Sequence, residues 1–313
     1  PPPPPPVWPW RFPAEPGSDG FEGILQGQDP SSYQVEELHL AAMHFASFVL
    51  ESPTFFTCDE WAALSVNTQE VCAWESIERF AKRAYRRPLR LAELDRLRAF
   101  WQVNLTGGQL DEAIALTAAG ILQVPSVHFR LESSDPSVPV SQWELATRLS
   151  YFLWDSMPDE ELFAAAASGQ LSLVEDVEYQ VRRMLDDPRA RSAIVHFHHQ
   201  WLGTDEVLLV APARRAFGPL FGISPRLKDA SDDDVEWPAI MGPVRHSLKL
   251  ETELFIEETI FDNDGTFHAL LTDNLGYMSD ATAPIYGSGA RRVTDRPAVS
   301  QPIEIVVASI GRE

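Results

Sequence analysis

Apolar residues recur along this chain at i, i+3 and i+4 intervals nearly everywhere, and period-2 alternation is almost absent. That pattern predicts an all-α, multi-helical fold. Val35, Leu38, Ala42, Phe45 and Val49 define a first stripe, headed by Asp29-Pro30, a cap residue followed by a first-turn proline. Further stripes are Ile77, Phe80, Ala81 and Ala84; then Leu91, Leu94, Leu97 and Trp101; then Ile114, Ala118, Ile121 and Leu122. Leu145, Leu149, Phe152 and Leu153 follow, with a short helix over 158–167 and another carrying Val174, Val177, Val181, Met184 and Leu185. Asp187-Pro188 caps a helix whose apolar stripe is Ile194, Phe197, Trp201 and Leu202. Residues 211–243, rich in Pro, Gly and Asp, predict a long loop before a last helix from about Val244 to Phe261.

Breaks in the pattern divide the chain. Residues 1–20 are a Pro-rich extended leader, 21–70 a partial N-terminal helical module, and 71–136 a helical module ending at the Pro/Ser stretch 133–140. A larger helical module fills 137–287, and 288–313 reads as a linker. Within the larger module, Asp159, Glu160 and Glu161 raise the question of a carboxylate pair for acid–base work. Coming just after Ser156 and Pro158, they fit the first turn of a helix, where acids meet the positive end of the helix dipole and Ser156 can cap.

Charge narrows the partners. Forty-six acids against 25 bases leave a formal net charge of −21. Such a surface repels nucleic-acid phosphates and anionic lipid, and favours cations or basic partners. No stretch of 18 apolar residues exists, so no membrane span is expected. The main basic concentration, Arg79, Lys82, Arg83 and Arg86, falls on one helical face and would meet acids of the same chain or of a partner, or solvent alone.

Motifs for chemistry are sparse. Cys58 and Cys72 match neither haem attachment nor a zinc pair, and their spacing leaves a bridge and two free thiols equally open. His196 and His199 lie three apart on one helical face, an acceptable spacing for two metal ligands, while His198 shares the apolar stripe and reads as a hydrogen-bonded core histidine. A run of acids, Asp232, Asp233 and Asp234, is a candidate cation-binding loop. "FDNDGTF" (261–267) would place Ile260 and Leu271 at the ends of a calcium loop, so it reads instead as a turn closing a helix. Ser288 lacks the outer glycines of a nucleophile elbow, and no phosphate or dinucleotide loop is present.

Several stretches together carry a resemblance: "GSDGFEG", Cys58 and Cys72, "IERFAKRAYRRPL", "LATRLSYFLWDSMPDEEL", "QVRRMLDDPRA", "HFHHQWLG", "ETELFIEETIFDNDGTFHALLT" and "APIYG". In this order they resemble a multi-module family of domains of unknown function, the DUF1587, DUF1595 and DUF1592 type. Its members occur in planctomycete and myxobacterial proteins, often linked to c-type cytochrome domains. The resemblance implies a fragment of a longer product and extracytoplasmic residence, which favours a Cys58–Cys72 disulfide. It implies as partners the other modules of the same protein or an envelope protein, and places any haem in those, with no cofactor in this chain. It transfers no catalytic residue. Arg90 stands where the family pattern has a Ser or Thr cap, and 212–243 reads as an insertion.

The resulting expectation is an exported structural or interaction portion of a larger cell-envelope protein associated with electron transfer. The rival readings are an envelope enzyme acting on a polymer or small organic substrate, with His196 and His199 facing acids of the 229–236 loop, and a divalent-cation-dependent binding module at Asp232, Asp233 and Asp234.

Overall fold

The computed structural model describes residues 31–52, 54–107, 109–130, 137–210, 212–223, 236–263, 265–273, 275–286, 291–292 and 306–309. They form two compact units that divide between Met184 and Leu185. Helices dominate both. Among the described residues, no helix is long and apolar enough to cross a membrane.

The N-terminal unit contains α1 (Ser32–Ser47), α2 (Val66–Ala84), α3 (Leu91–Gly107), α4 (Leu110–Leu122), α5 (Pro125–His128), α6 (Gln142–Trp154), α7 (Glu160–Ser168) and nearly all of α8 (Val174–Leu185). Helix α4 is apolar on almost every face, and α1, α2 and α3 all pack on it. A helix of that kind is stable only when surrounded. Ile77, Ile114 and Ile121 are fully buried around it, each contributing on the order of 1.5–3 kcal/mol. The Cys58–Cys72 disulfide ties the segment before α2 to that helix, with the two Cα atoms 6.1 Å apart.

Local signals account for the helix ends. Ser31 and Gln34 form a reciprocal capping box on α1, so the first described helix is capped at Ser31; the expected cap, Asp29, lies outside the described residues. Ser141 and Glu144 do the same for α6, which stops at Asp155 in the left-handed conformation (φ 50°). The acidic cluster is a helix start, as its sequence indicates, but the cap is Asp159 rather than Ser156: its carboxylate accepts from Leu162 N at 2.9 Å. The same three acids also clasp neighbours. Arg183 on α8 lies 2.7 Å from Asp159 and 3.2 Å from Glu161, and Arg83 on α2 pairs with Glu160.

The C-terminal unit contains α9 (Pro188–Leu202), a 3-10 turn (Thr204–Leu208), α10 (Arg214–Phe217), α11 (Glu236–Glu257), α12 (Phe267–Thr272), β1 (Leu275–Met278), α13 (Ala283–Tyr286), β2 (Arg291–Arg292) and β3 (Val306–Ser309). Asp187 caps α9 with Pro188 in its first turn, as expected. The strands form a small antiparallel sheet in the order β1-β3-β2, with Leu275 opposite Ser309 and Met278 opposite Val306. This is an addition to the helical pattern, since strands of two to four residues are too short to show alternation; β3 lies in the stretch expected to be a linker. Strand β1 packs on α11, where Ser279 Oγ donates to Ser247 Oγ at 2.7 Å.

Helix α11 corrects one expectation. It begins at Glu236, eight residues before the expected start at Val244, and carries Pro243 inside it. A proline removes one backbone donor but does not forbid a helix that tertiary bonds hold. Here Trp237 Nε1 donates to Pro212 O at 2.9 Å, and the Arg245 guanidinium donates to Leu208 O and Val210 O. The helix passes into a π-helical turn over Glu258–Asp262. Gly265 closes the turn at φ 60°, its N–H donating to Thr259 O, where an added Cβ would stand 3.0 Å from Ile260 O. The helix thus ends in a turn at Asn263 and Gly265, as the sequence suggested, and Asp262 pairs with Arg191 at 3.1 Å.

Candidate functional site

Helix α9 is rotated on α11 from the seating its apolar stripe suggested. His198 and His199 are buried, whereas Phe197, Trp201 and Leu202 are 50%, 40% and 45% exposed. His198 is the hydrogen-bonded core histidine expected, its Nδ1 2.7 Å from Ile194 O. Its apolar companions on the stripe are not core. Periodicity shows which residues share a face, and the two polar rings go inward because α9, α11 and the turn after Gly203 supply partners for them.

His199 sits at the centre of a polar network. Its Nδ1 contacts Thr204 Oγ1, and its Nε2 lies 3.0 Å from Glu253 Oε1 on α11, within ion-pair distance though out of hydrogen-bonding alignment. One turn back, Lys249 Nζ is 2.5 Å from Asp205. The Lys249 ammonium holds the Asp205 carboxyl below the usual range, and His199 and His196 act in the same direction. His196 is only partly buried and its Nε2 is 2.8 Å from Gln200 Nε2. The two candidate metal ligands therefore have different partners. Among the described residues no group of three or more His, Cys, Asp or Glu is arranged to hold a metal ion. Asp232, Asp233 and Asp234 lie outside the described residues, as does Ser288.

Thr204 also borders a cavity of about 530 Å³ between the 204–208 turn, α11, α12 and α13. Leu248, Phe255, Leu270 and Leu275 make its apolar wall, and Glu251, Asp273 and Tyr286 its polar positions. Tyr286 donates to Glu251 Oε2 at 2.6 Å. Burial raises the Glu251 carboxyl above its ordinary value, with the tyrosine bond opposing it, and the Tyr286 hydroxyl is raised by burial and by the carboxylate beside it. A carboxyl shifted upward in a cleft of this size, next to a hydroxyl, can accept and return a proton or bind a polar ligand group. Neither residue stood out in the sequence. The available signal was an acid sharing a helical face with Leu248, Thr252 and Phe255.

On the outer side of α9 a row of aromatic rings faces solvent. Phe197 stacks on Trp201 with centroids 6.1 Å apart, and Trp201 on Phe267 at 5.9 Å. Phe267 and the neighbouring Leu271 are 62% and 61% exposed. Leu202 adds to the same helix end. Together these exposed side chains form an apolar patch.

The fold and this surface define a class: a disulfide-bonded, predominantly helical protein with a small antiparallel sheet. Residues 72–132 match the family model PSD5, a protein of unknown function (DUF1595), and residues 140–288 match PSD4, a protein of unknown function (DUF1592). The two matches follow one another in the order that the resemblance to the multi-module family implied. No curated protein and no solved structure matches it.

Proposed function

We propose that this chain is an extracytoplasmic interaction module of a larger cell-envelope protein, docking a basic partner that carries c-type haem. The observation that carries the reading is the exposed Phe197–Trp201–Phe267 row. Aromatic side chains in such positions dominate the energetics of protein contacts. Two further facts support it. A net charge of −21 selects a basic partner and speeds its approach, and the Cys58–Cys72 bridge suits an oxidising compartment. Isothermal titration of the purified chain with a basic c-type cytochrome domain tests it. The doubly substituted Trp201→Ala, Phe267→Ala protein should bind at least about tenfold more weakly while keeping its unfolding midpoint. Absence of binding at about 100 μM, an affinity well short of that of a specific complex, or equal binding by the variant, refutes the docking role.

A second reading rests on the Glu251–Tyr286 cavity, whose size suits a small organic ligand or substrate. In that reading the chain is an envelope enzyme, with a metal on the His196 and His199 face as one form of it. Native mass spectrometry without chelator distinguishes the forms. A stoichiometric metal abolished by His199→Ala supports the metal enzyme, and a metal-free mass turns this reading to the Glu251–Tyr286 pair.

A further inference from the structure

A second cavity, of about 360 Å³, lies wholly within the N-terminal unit and has the opposite electrical character to the chain. Its wall contains Arg86, Arg87, Arg90 and Arg130 but only two acids, Glu93 and Glu144. Both acids are committed. Glu93 accepts from Arg87 through both oxygens at 2.8 Å and from Arg90 N at 2.8 Å, and Glu144 closes the α6 capping box at Ser141 N. Arg87 is paired with Glu93, which Arg90 also neighbours, and four arginines against two carboxylates leave the described wall with a net positive charge.

Arg86 is the most informative of the three. It is only 6% exposed, yet its guanidinium donates to backbone carbonyls alone: Ser126 O at 2.7 Å, Val127 O at 2.9 Å, Phe129 O at 3.1 Å and Ala84 O at 3.4 Å. Carbonyls satisfy its donors without neutralising its charge, and a buried charge lacking a counter-ion costs free energy. The backbone at Arg86 is left-handed as well (φ 57°), a conformation unfavourable for a side chain of this size. Strain and an uncompensated charge persist together where the site needs them. Arg130 lies over the Tyr151 ring at 4.6 Å, and Arg86 is 5.8 Å from the same ring. Arg130 and Arg90 are exposed, and among the described residues neither guanidinium has a carboxylate partner. Tyr85, Phe129 and Trp143 supply apolar wall, and the positive end of the 13-residue helix α6 opens at Ser141.

We infer that this cavity binds a small organic oxyanion, a carboxylate or phosphate ester with an aromatic or apolar body. Arg90 and Arg130 grip the acid group, Arg86 supplies the fixed positive charge beneath it, and the ring of Trp143 or Phe129 packs on the body. Arginine suits this task because its planar fork meets two oxygens at once. The residues come from both family-matched segments, 72–132 and 140–288, so the site needs the two domains together.

Titration calorimetry with three probes, benzoate, phenyl phosphate and inorganic phosphate, at constant ionic strength is the test. Binding of benzoate and phenyl phosphate, each weakened about tenfold or more by Arg130→Gln and by Arg90→Gln, is the expected result; a hydrogen-bonded charge lost from a ligand is worth at least that factor. Preference for phenyl phosphate over benzoate identifies a phosphate ester, and the reverse a carboxylate. Inorganic phosphate alone should bind more weakly than either, because it leaves the aromatic wall uncovered. Both substituted residues are exposed, so the variants should retain the helical circular dichroism of the parent; Arg90→Lys and Arg130→Lys serve as the comparison if either does not. No heat with any probe at millimolar concentration, or equal affinity in the variants, overturns the inference.

Discussion

Breaking the Cys58–Cys72 bridge should lower the stability of the N-terminal unit by about 3 kcal/mol. The bridge spans 14 positions, and closing a loop of that length removes entropy from the unfolded chain by roughly that amount. Native contacts should survive its loss. Thr57 N still donates to Ser76 Oγ at 2.9 Å, and Arg79 still donates to the carbonyls of Thr54 and Phe55 at 2.6 Å, so the segment stays pinned to α2. For a domain of this size, about 2–4 °C accompanies each kcal/mol, so the midpoint should fall by about 6–12 °C. Differential scanning calorimetry of the oxidised chain, the reduced chain and the Cys58→Ala, Cys72→Ala variant separates loop entropy from packing. The reduced chain keeps both sulfurs in place, whereas the variant also empties part of the site of Cys72, which is 4% exposed. A fall of less than about 3 °C on reduction, well below the loop-entropy figure, or loss of the near-ultraviolet signal of Trp61 and Trp74, refutes an effect exerted on the unfolded chain.

The Arg87 pair holds Glu93 at about 2, below its ordinary 4.5. A carboxyl whose folded value is depressed adds stability that is present above about pH 4.5 and is lost as pH falls toward 2. Glu93→Gln should therefore lower the midpoint at neutral pH and make little difference at pH 2, which thermal melts across that range would check. Trp154→Phe removes the bond from its Nε1 to Met184 O, 2.8 Å long and buried, and should cost about 1–3 kcal/mol in chemical denaturation. Tyr286→Phe removes the interaction that opposes burial at Glu251, so the carboxyl should titrate at higher pH than in the parent; carbon-13 NMR of the labelled carboxyl reads the shift, and a downward movement would contradict the assignment.

The helical class and most helix starts were legible because 3.6-residue periodicity and cap chemistry are local. Asp187-Pro188 and the acids at 159–161 mark α9 and α7 without reference to any other part of the chain. Arg90 fits this account too. It is no cap, yet the α3 start is satisfied from Glu93, three residues on, whose second partner Arg87 is equally near in sequence. The basic stripe expected over Arg79, Lys82, Arg83 and Arg86 holds only for the first three: α2 ends at Ala84, and Arg86 turns away in a left-handed conformation to serve backbone carbonyls, as Arg79 does, while Lys82 and Arg83 meet acids. The 211–243 loop was shorter than composition implied, since Trp237 and Arg245 anchor a proline-containing helix through bonds to residues 25–37 positions away.

The sequence by itself determined that this protein is helical, strongly acidic and of the DUF1595–DUF1592 type, because period, charge count and motif order are properties of the chain. Tertiary structure alone decided which faces are covered. Phe197 and Trp201 lie outside and His199 inside because α11 offers Glu253 to one face of α9 and leaves the other to solvent. It also decided that Glu251 meets Tyr286 across 35 positions, and that Arg86 reaches carbonyls 40 to 43 positions away. Such pairings depend on where separate helices come to rest against one another, and no local pattern encodes that.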